Sequence, residues 1–188
     1  FGAVEFYNAC KDVGIKPIIG CELYTAPTTI YEKSAATKSC GHIVLLSKTT
    51  AGYHNLLKLA SIAATDGLYY KPRIDMDLLK KYHEGIICLS ACLQGDIPAK
   101  LLAGDKEGAY AKAQELKDIF GEDFYIELQY HGLEDQKKVL FPLIQLAKAL
   151  DIQLVATNDV HYVEKKDAFA QRVLMCMSIG KTVTDETA

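Results

Sequence analysis

Arginine is nearly absent from this chain. Only Arg73 and Arg172 are present, so lysine carries almost all of the cationic charge. There is no surplus of positive charge either: 21 lysines and arginines face 24 aspartates and glutamates, giving a net charge of −3 and a pI near 6.0. That excludes a protein whose whole surface neutralises nucleic-acid phosphates, which needs a concentrated basic face. It leaves room for a small site that takes one phosphate. No CxxC pair occurs among the six cysteines, at 10, 21, 40, 88, 92 and 176. A chain this long and apolar does not depend on a disulfide scaffold, so its cysteines point to a reducing cytoplasm. No signal peptide is visible, and no apolar run reaches membrane-spanning length, so no membrane partner is expected. Repeats, low-complexity tracts and linkers are also lacking.

What is present is a core. About half of the 188 residues (49%) are hydrophobic, enough for one domain without staples. The chain opens on Phe1, and "GAVEFYNACKDVG" reads as a helix already under way, with its beginning upstream. Strands are predicted at 16–26, 42–48, 85–91, 123–129 and 152–158, and helices at 3–13, 51–65, 76–82, 96–103, 106–120, 133–151 and 165–179. Residues 27–40 and 67–75 read as loops, and Pro142 is placed to kink the helix it interrupts. Strands joined by helices imply a parallel sheet with right-handed crossovers. Runs such as "IIGCELY" and "IICLSA" look apolar on both faces, as doubly covered strands are. An open doubly wound sheet and a β/α barrel both fit.

Functional groups in such folds gather at the carboxyl ends of strands. Cys92 and Gln94 follow one strand, Gln129 and His131 another, and Asn158, Asp159 and His161 close a third. Asp159 and His161 are two apart, so in extended chain both point to one face. Glu22 lies within "IIGCELY", where burial would demand a cation, a donor network or a metal. His42 opens its strand instead of ending it, and needs a bent or reversed strand to face the same way. Glu, Asp, His and Cys together suit zinc, manganese or iron. Each also has a plainer reading: Asp159 as a helix cap, Cys92 as a small hydrophobe, His131 as a turn residue, and His54 and His83 as surface histidines. "YYKPR" presents Lys71 and Arg73 as phosphate contacts among tyrosines.

The segments "GIKPIIGCELYTAP", "HIVLLSKTTAGYHNLLKLAS", "GLYYKPRID", "GIICLSACLQGDIP", "FYIELQYHG" and "LVATNDVHY" taken in order resemble one family. It is the polymerase-and-histidinol-phosphatase (PHP) domain at the amino end of bacterial replicative DNA polymerase III alpha subunits. The resemblance covers residues 1–188 and implies a distorted barrel of about seven β/α units, here incomplete at the amino end. It implies up to three zinc or manganese ions, held by Glu22, His42, Cys92, Asp159 and His161, with Glu22, Asp159 and His161 as the catalytic set. His131 and Asn158 would be neighbours of that site. The family's His-x-His strand and Asp-His-Gly turn lie upstream of the matched stretch, and the polymerase regions downstream. The activities implied are DNA polymerisation by the whole protein and either a metal-dependent 3′–5′ exonuclease or a structural scaffold in this domain. The implied partners are DNA, a proofreading exonuclease subunit and other replicase subunits. A free-standing PHP phosphatase is the remaining alternative.

Overall fold

The computed structural model describes residues 2–185. Two compact units divide the chain, Phe1–Thr157 and Asn158–Ala188.

The first unit is mixed α/β. Its helices are α1 (Ala3–Asp12), α2 (Thr50–Thr65), α3 (Met76–Tyr82), α4 (Asp96–Leu102), α5 (Lys106–Phe120) and α6 (Glu134–Ala149). Its strands are β1 (Gly20–Thr25), β2 (Gly41–Ser47), β3 (Arg73–Ile74), β4 (Ile86–Leu89), β5 (Phe124–Leu128) and β6 (Gln153–Ala156). Local chemistry sets several boundaries. The Thr49 hydroxyl accepts from Gly52 N–H at the start of α2, the Asp75 carboxylate from Leu78 N–H at α3, and Asp105 from Gly108 N–H at α5. α6 continues through Pro142, and its carboxyl end is closed from outside, because Lys117 on α5 donates to the carbonyls of Leu150 and Asp151.

One six-stranded sheet runs in the order β3-β1-β2-β4-β5-β6. It is mixed, not parallel as expected. β1–β3, β4–β5 and β5–β6 are parallel, while β2 is antiparallel to both β1 and β4. The physical reason is the connection: β1 and β2 are joined by a loop with no helix crossover, and such a link returns the chain in the opposite direction. The expected double coverage of "IIGCELY" also gives way. Pairing begins only at Gly20, and Ile18 is 57% exposed. The loop read at 67–75 contributes β3.

Leu23, Ile43, Leu45 and Cys88 from the strands share a core with Leu56, Leu59 and Ala63 of α2, Leu116 and Phe120 of α5, and Val139, Leu143 and Leu146 of α6. Gly52 allows α2 to approach this closely, since a Cβ there would stand 1.7 Å from the Gly85 carbonyl oxygen. The long loop between β1 and β2 is held from β3. Arg73, fully buried, donates to the carbonyls of Ile30 (3.0 Å), Thr37 (3.1 Å) and Glu32 (3.4 Å), and to Gly67 (3.1 Å). Asp75, two residues on, accepts from Ile30 N–H at 2.9 Å.

The second unit carries a short 3-10 turn (Lys165–Asp167) and α7 (Ala168–Ile179). Among the described residues, no helix is long and apolar enough to cross a membrane. None of the six cysteines is in a disulfide.

Candidate functional site

The reversal of β2 answers the placement of His42. Register pairs Thr25 with Gly41 and Tyr24 with His42, so the amino end of β2 lies beside the carboxyl end of β1. Val44 pairs with Leu89, so the chain leaving β4 reaches the same edge. There His42 bridges Gly95, and its N–H donates to the Gln94 carbonyl at 3.0 Å. Gly95 is required by this turn, because a Cβ would meet the Ser90 carbonyl oxygen at 2.1 Å.

Alternation then puts Glu22, Tyr24 and His42 on one face, with Leu23 and Ile43 turned to the core. His42 Nδ1 donates to Glu22 Oε1 at 2.8 Å. Cys92 Sγ stands 3.9 Å from the same imidazole nitrogen. Tyr24 meets the imidazole edge to face, with ring centroids 4.9 Å apart. Glu22 therefore finds one of the partners expected of it, a hydrogen-bond donor, but without the expected burial. Its side chain is 42% exposed, and what it finds is the imidazole on the neighbouring strand.

The other candidates each have surroundings of their own. His131 is exposed; its N–H donates to Gln136 Oε1 at 2.7 Å, and its Nδ1 accepts from Gln136 Nε2 at 2.9 Å. That arrangement fastens the loop after β5 to the first turn of α6. Lys71 is exposed, with its ammonium 5.2 Å from the Tyr24 ring centroid. Arg73 points inward and is wholly engaged by carbonyls, so of the two cations only Lys71 is presented to an anion. Asn158, Asp159 and His161 belong to the second unit. The premise that they continue a strand does not hold. β6 ends at Ala156, and Asp159 takes a left-handed φ of 47°. The His161 Nδ1–H instead donates to the Asp159 carbonyl at 2.7 Å. Asp159 is the N-cap of none of the described helices, since those that follow begin behind Glu164 and Asp167.

Two residues at this edge were passed over in the sequence. Asp96, first in α4, accepts from the Thr25 hydroxyl at 3.1 Å and would touch any side chain placed at Gly41. Glu127, in β5, is only 6% exposed. Its signal was the one used for Glu22, a carboxylate inside an apolar strand, and it applies better to Glu127. Burial and this carboxylate together push the Cys88 thiol well up from its ordinary value.

The donor set Glu22, His42 and Cys92 offers oxygen, nitrogen and sulfur, a chemistry that fits zinc and, through its carboxylate, manganese. Among the described residues, no group of three or more His, Cys, Asp and Glu is arranged around one point as a metal ion would require.

Fold and edge together define a mixed α/β domain with an acid, an imidazole and a thiol where strand ends meet. The chain belongs to the PHP domain family, whose model matches residues 1–131. It is 47% identical over 188 residues to the DNA polymerase III subunit alpha of Treponema pallidum, covering 98% of this chain and 16% of that protein. It is 47% identical to the subunit of the same name from Borreliella burgdorferi, covering 99% and 16%, and 43% identical to that of Thermus aquaticus, covering 98% and 15%. The chain thus spans about a sixth of the length of these curated relatives.

Proposed function

We propose that residues 1–188 are the PHP domain of a bacterial replicative DNA polymerase III alpha subunit, working in the cytoplasm in DNA replication. The observation that carries this is identity of 43–47% to such subunits over nearly the whole chain. In the whole protein this domain would complete a distorted (β/α)7 barrel. It would carry a metal-dependent phosphoesterase site acting as a 3′–5′ exonuclease. The adjacency of Glu22, His42 and Cys92 supports the site. Asp159 and His161 enter through the family pattern alone.

A bound zinc or manganese ion would supply a water acidic enough to give hydroxide near neutral pH, and would offset charge on a phosphoryl oxygen. The residues of this chain have their own tasks. Glu22 orients the His42 imidazole through the 2.8 Å hydrogen bond, which fixes which ring nitrogen is left for another partner. Tyr24 holds the ring from its edge. Lys71 offers the exposed positive charge for a phosphate of the DNA strand.

The test is elemental analysis and a 3′–5′ exonuclease assay on the natural full-length protein, wild type against Glu22→Ala and His42→Ala. Retained metal in the wild type, with affinity weakened at least about tenfold in either variant, is expected. Absence of metal from the wild type would sink the site. A second reading, a scaffold that docks a separate proofreading exonuclease subunit, is favoured by the lack of a three-donor group among the described residues. It would then be the one to keep.

A further inference from the structure

Tyr70 holds a conformation that costs free energy. It is a bulky residue with a left-handed φ of 58°, and it is 68% exposed. A tyrosine in that region is an outlier, kept only where its surroundings over-determine it, and such residues cluster at ligand clamps. Here the Tyr69 N–H donates to the Lys71 carbonyl at 3.1 Å and closes the chain around Tyr70. Burial of Tyr70 does not offset the strain.

The setting of this ring is built from the interior. Tyr69 meets Tyr70 edge to face, with centroids 4.8 Å apart, and the buried Arg73 guanidinium lies 5.0 Å from the Tyr69 centroid. Arg73 also donates to the Thr37 carbonyl, next to Lys38. The Lys38 ammonium stands over the Tyr70 ring, 4.4 Å from its centroid. One buried arginine thus steadies both the aromatic pair and the cation above it. Lys71 stands over Tyr24 at 5.2 Å, and Tyr24 rests against His42 of the Glu22–His42 pair. Lys38 and Lys71 are exposed, and neither is in a salt bridge among the described residues. In a chain of net charge −3, that is a local excess of positive charge beside an exposed ring. Such a pairing of aromatic and cations suits a base and its neighbouring phosphates, and a base offers its face only when unpaired.

We propose that Tyr70, Lys38 and Lys71 form a landing for single-stranded DNA, with one base stacked on Tyr70 and adjacent phosphates at the two ammonium groups. The proposal rests on the polymerase reading for the choice of DNA, and on neither metal nor cleavage. Because Tyr24 joins Lys71 to His42, a strand held here passes the Glu22–His42 edge.

The test uses the natural full-length protein with a chelator present, so that no strand is cut. Oligothymidylate carrying 5-iododeoxyuridine, irradiated on wild type, should crosslink to Tyr70, as read by peptide mass spectrometry. The same base paired inside a blunt duplex should not. Hydrogen exchange then measures affinity at this place alone. Unmodified oligothymidylate should slow exchange at residues 36–40 and 67–72. Tyr70→Gly suits the left-handed backbone and keeps the turn, yet should raise the oligonucleotide concentration for half-protection at least about fivefold. Lys38→Ala with Lys71→Ala should raise it too, and flatten its dependence on salt. No crosslink at Tyr70, equal crosslinking from the duplex, or protection unchanged in Tyr70→Gly overturns this proposal. The phosphoesterase reading, which is decided by metal content, is untouched by those results, just as a wild type without metal would leave this landing standing.

Discussion

Arg73 carries a permanent charge into the interior and meets carbonyl oxygens from Ile30, Glu32, Thr37 and Gly67. Only a planar fork with five donors can serve four oxygens spread over two loops. Arg73→Lys keeps the charge but leaves several carbonyls without a donor, at a cost of about 3 kcal/mol. That cost falls on the loop at 27–40, so the Ile30 amide should exchange with solvent about a hundredfold faster in the variant. Unchanged exchange would mean that Asp75 alone holds the loop. Cys88 makes a prediction of opposite character. Burial and Glu127 raise its proton affinity in the folded state, so the folded chain keeps a proton that the unfolded chain releases. Its contribution is full below the ordinary thiol value near 8.5 and is lost as pH rises above it, by up to about 1.4 kcal/mol per pH unit. Denaturant unfolding from pH 7 to 10 should show a steeper alkaline decline in wild type than in Cys88→Ala.

Elements were legible where a rule of spacing and a rule of length agreed. The helices at 76–82 and 106–120 lie where periodicity put them, each behind an aspartate whose side chain caps it. Strand direction was less legible. The sequence between β1 and β2 shows no helix, yet helices between the other strands suggested a uniformly parallel sheet. The same omission left His42 without a route to the site until β2 proved to run backwards. Burial was misread at Glu22 and overlooked at Glu127, because apolar neighbours in a strand reveal the pattern of each face but not what covers it. β3 escaped because two residues are too short for any period to register, and so Arg73 was read as a phosphate contact and not as the buried clasp it is. At this scale Gly52 is decisive. Gly52→Ala forces a Cβ to within 1.7 Å of the Gly85 carbonyl oxygen, so α2 must lift from the turn before β4. A loss of about 2 kcal/mol is expected, seen as a lower urea midpoint at constant slope.

For the whole molecule, the family was legible from short segments in series, though none of them is distinctive alone. The candidate site was partly legible. Glu22, His42 and Cys92 were named from the sequence and lie together, while Asp159 and His161 were named for a strand geometry they do not have. That difference comes from a left-handed residue, which no alternation of side chains announces. A further expectation concerns acid. Asp105 is held below its ordinary value by the Gly108 amide and then by Lys100. Its support for α5 is complete above the ordinary aspartate range near 3.9 and fades as pH falls through the lowered value. Asp105→Asn should therefore flatten the acid limb of a stability–pH curve.

The pairing of β3 with β1 also dictates an order of birth. Ala26 N–H donates to Ile74, Arg73 gathers carbonyls from residues 30–37, and Asp75 holds Ile30. All of these contacts lie within residues 20–75, before β4, β5 or β6 has been made. On a translating ribosome, which adds about 5–20 residues per second, this corner can close before β4, β5 and β6 have emerged. Nascent chains arrested with residue 75 just outside the exit tunnel should resist protease at 27–40. Chains arrested with only residue 70 outside should be cut there, because the clasp has not yet emerged.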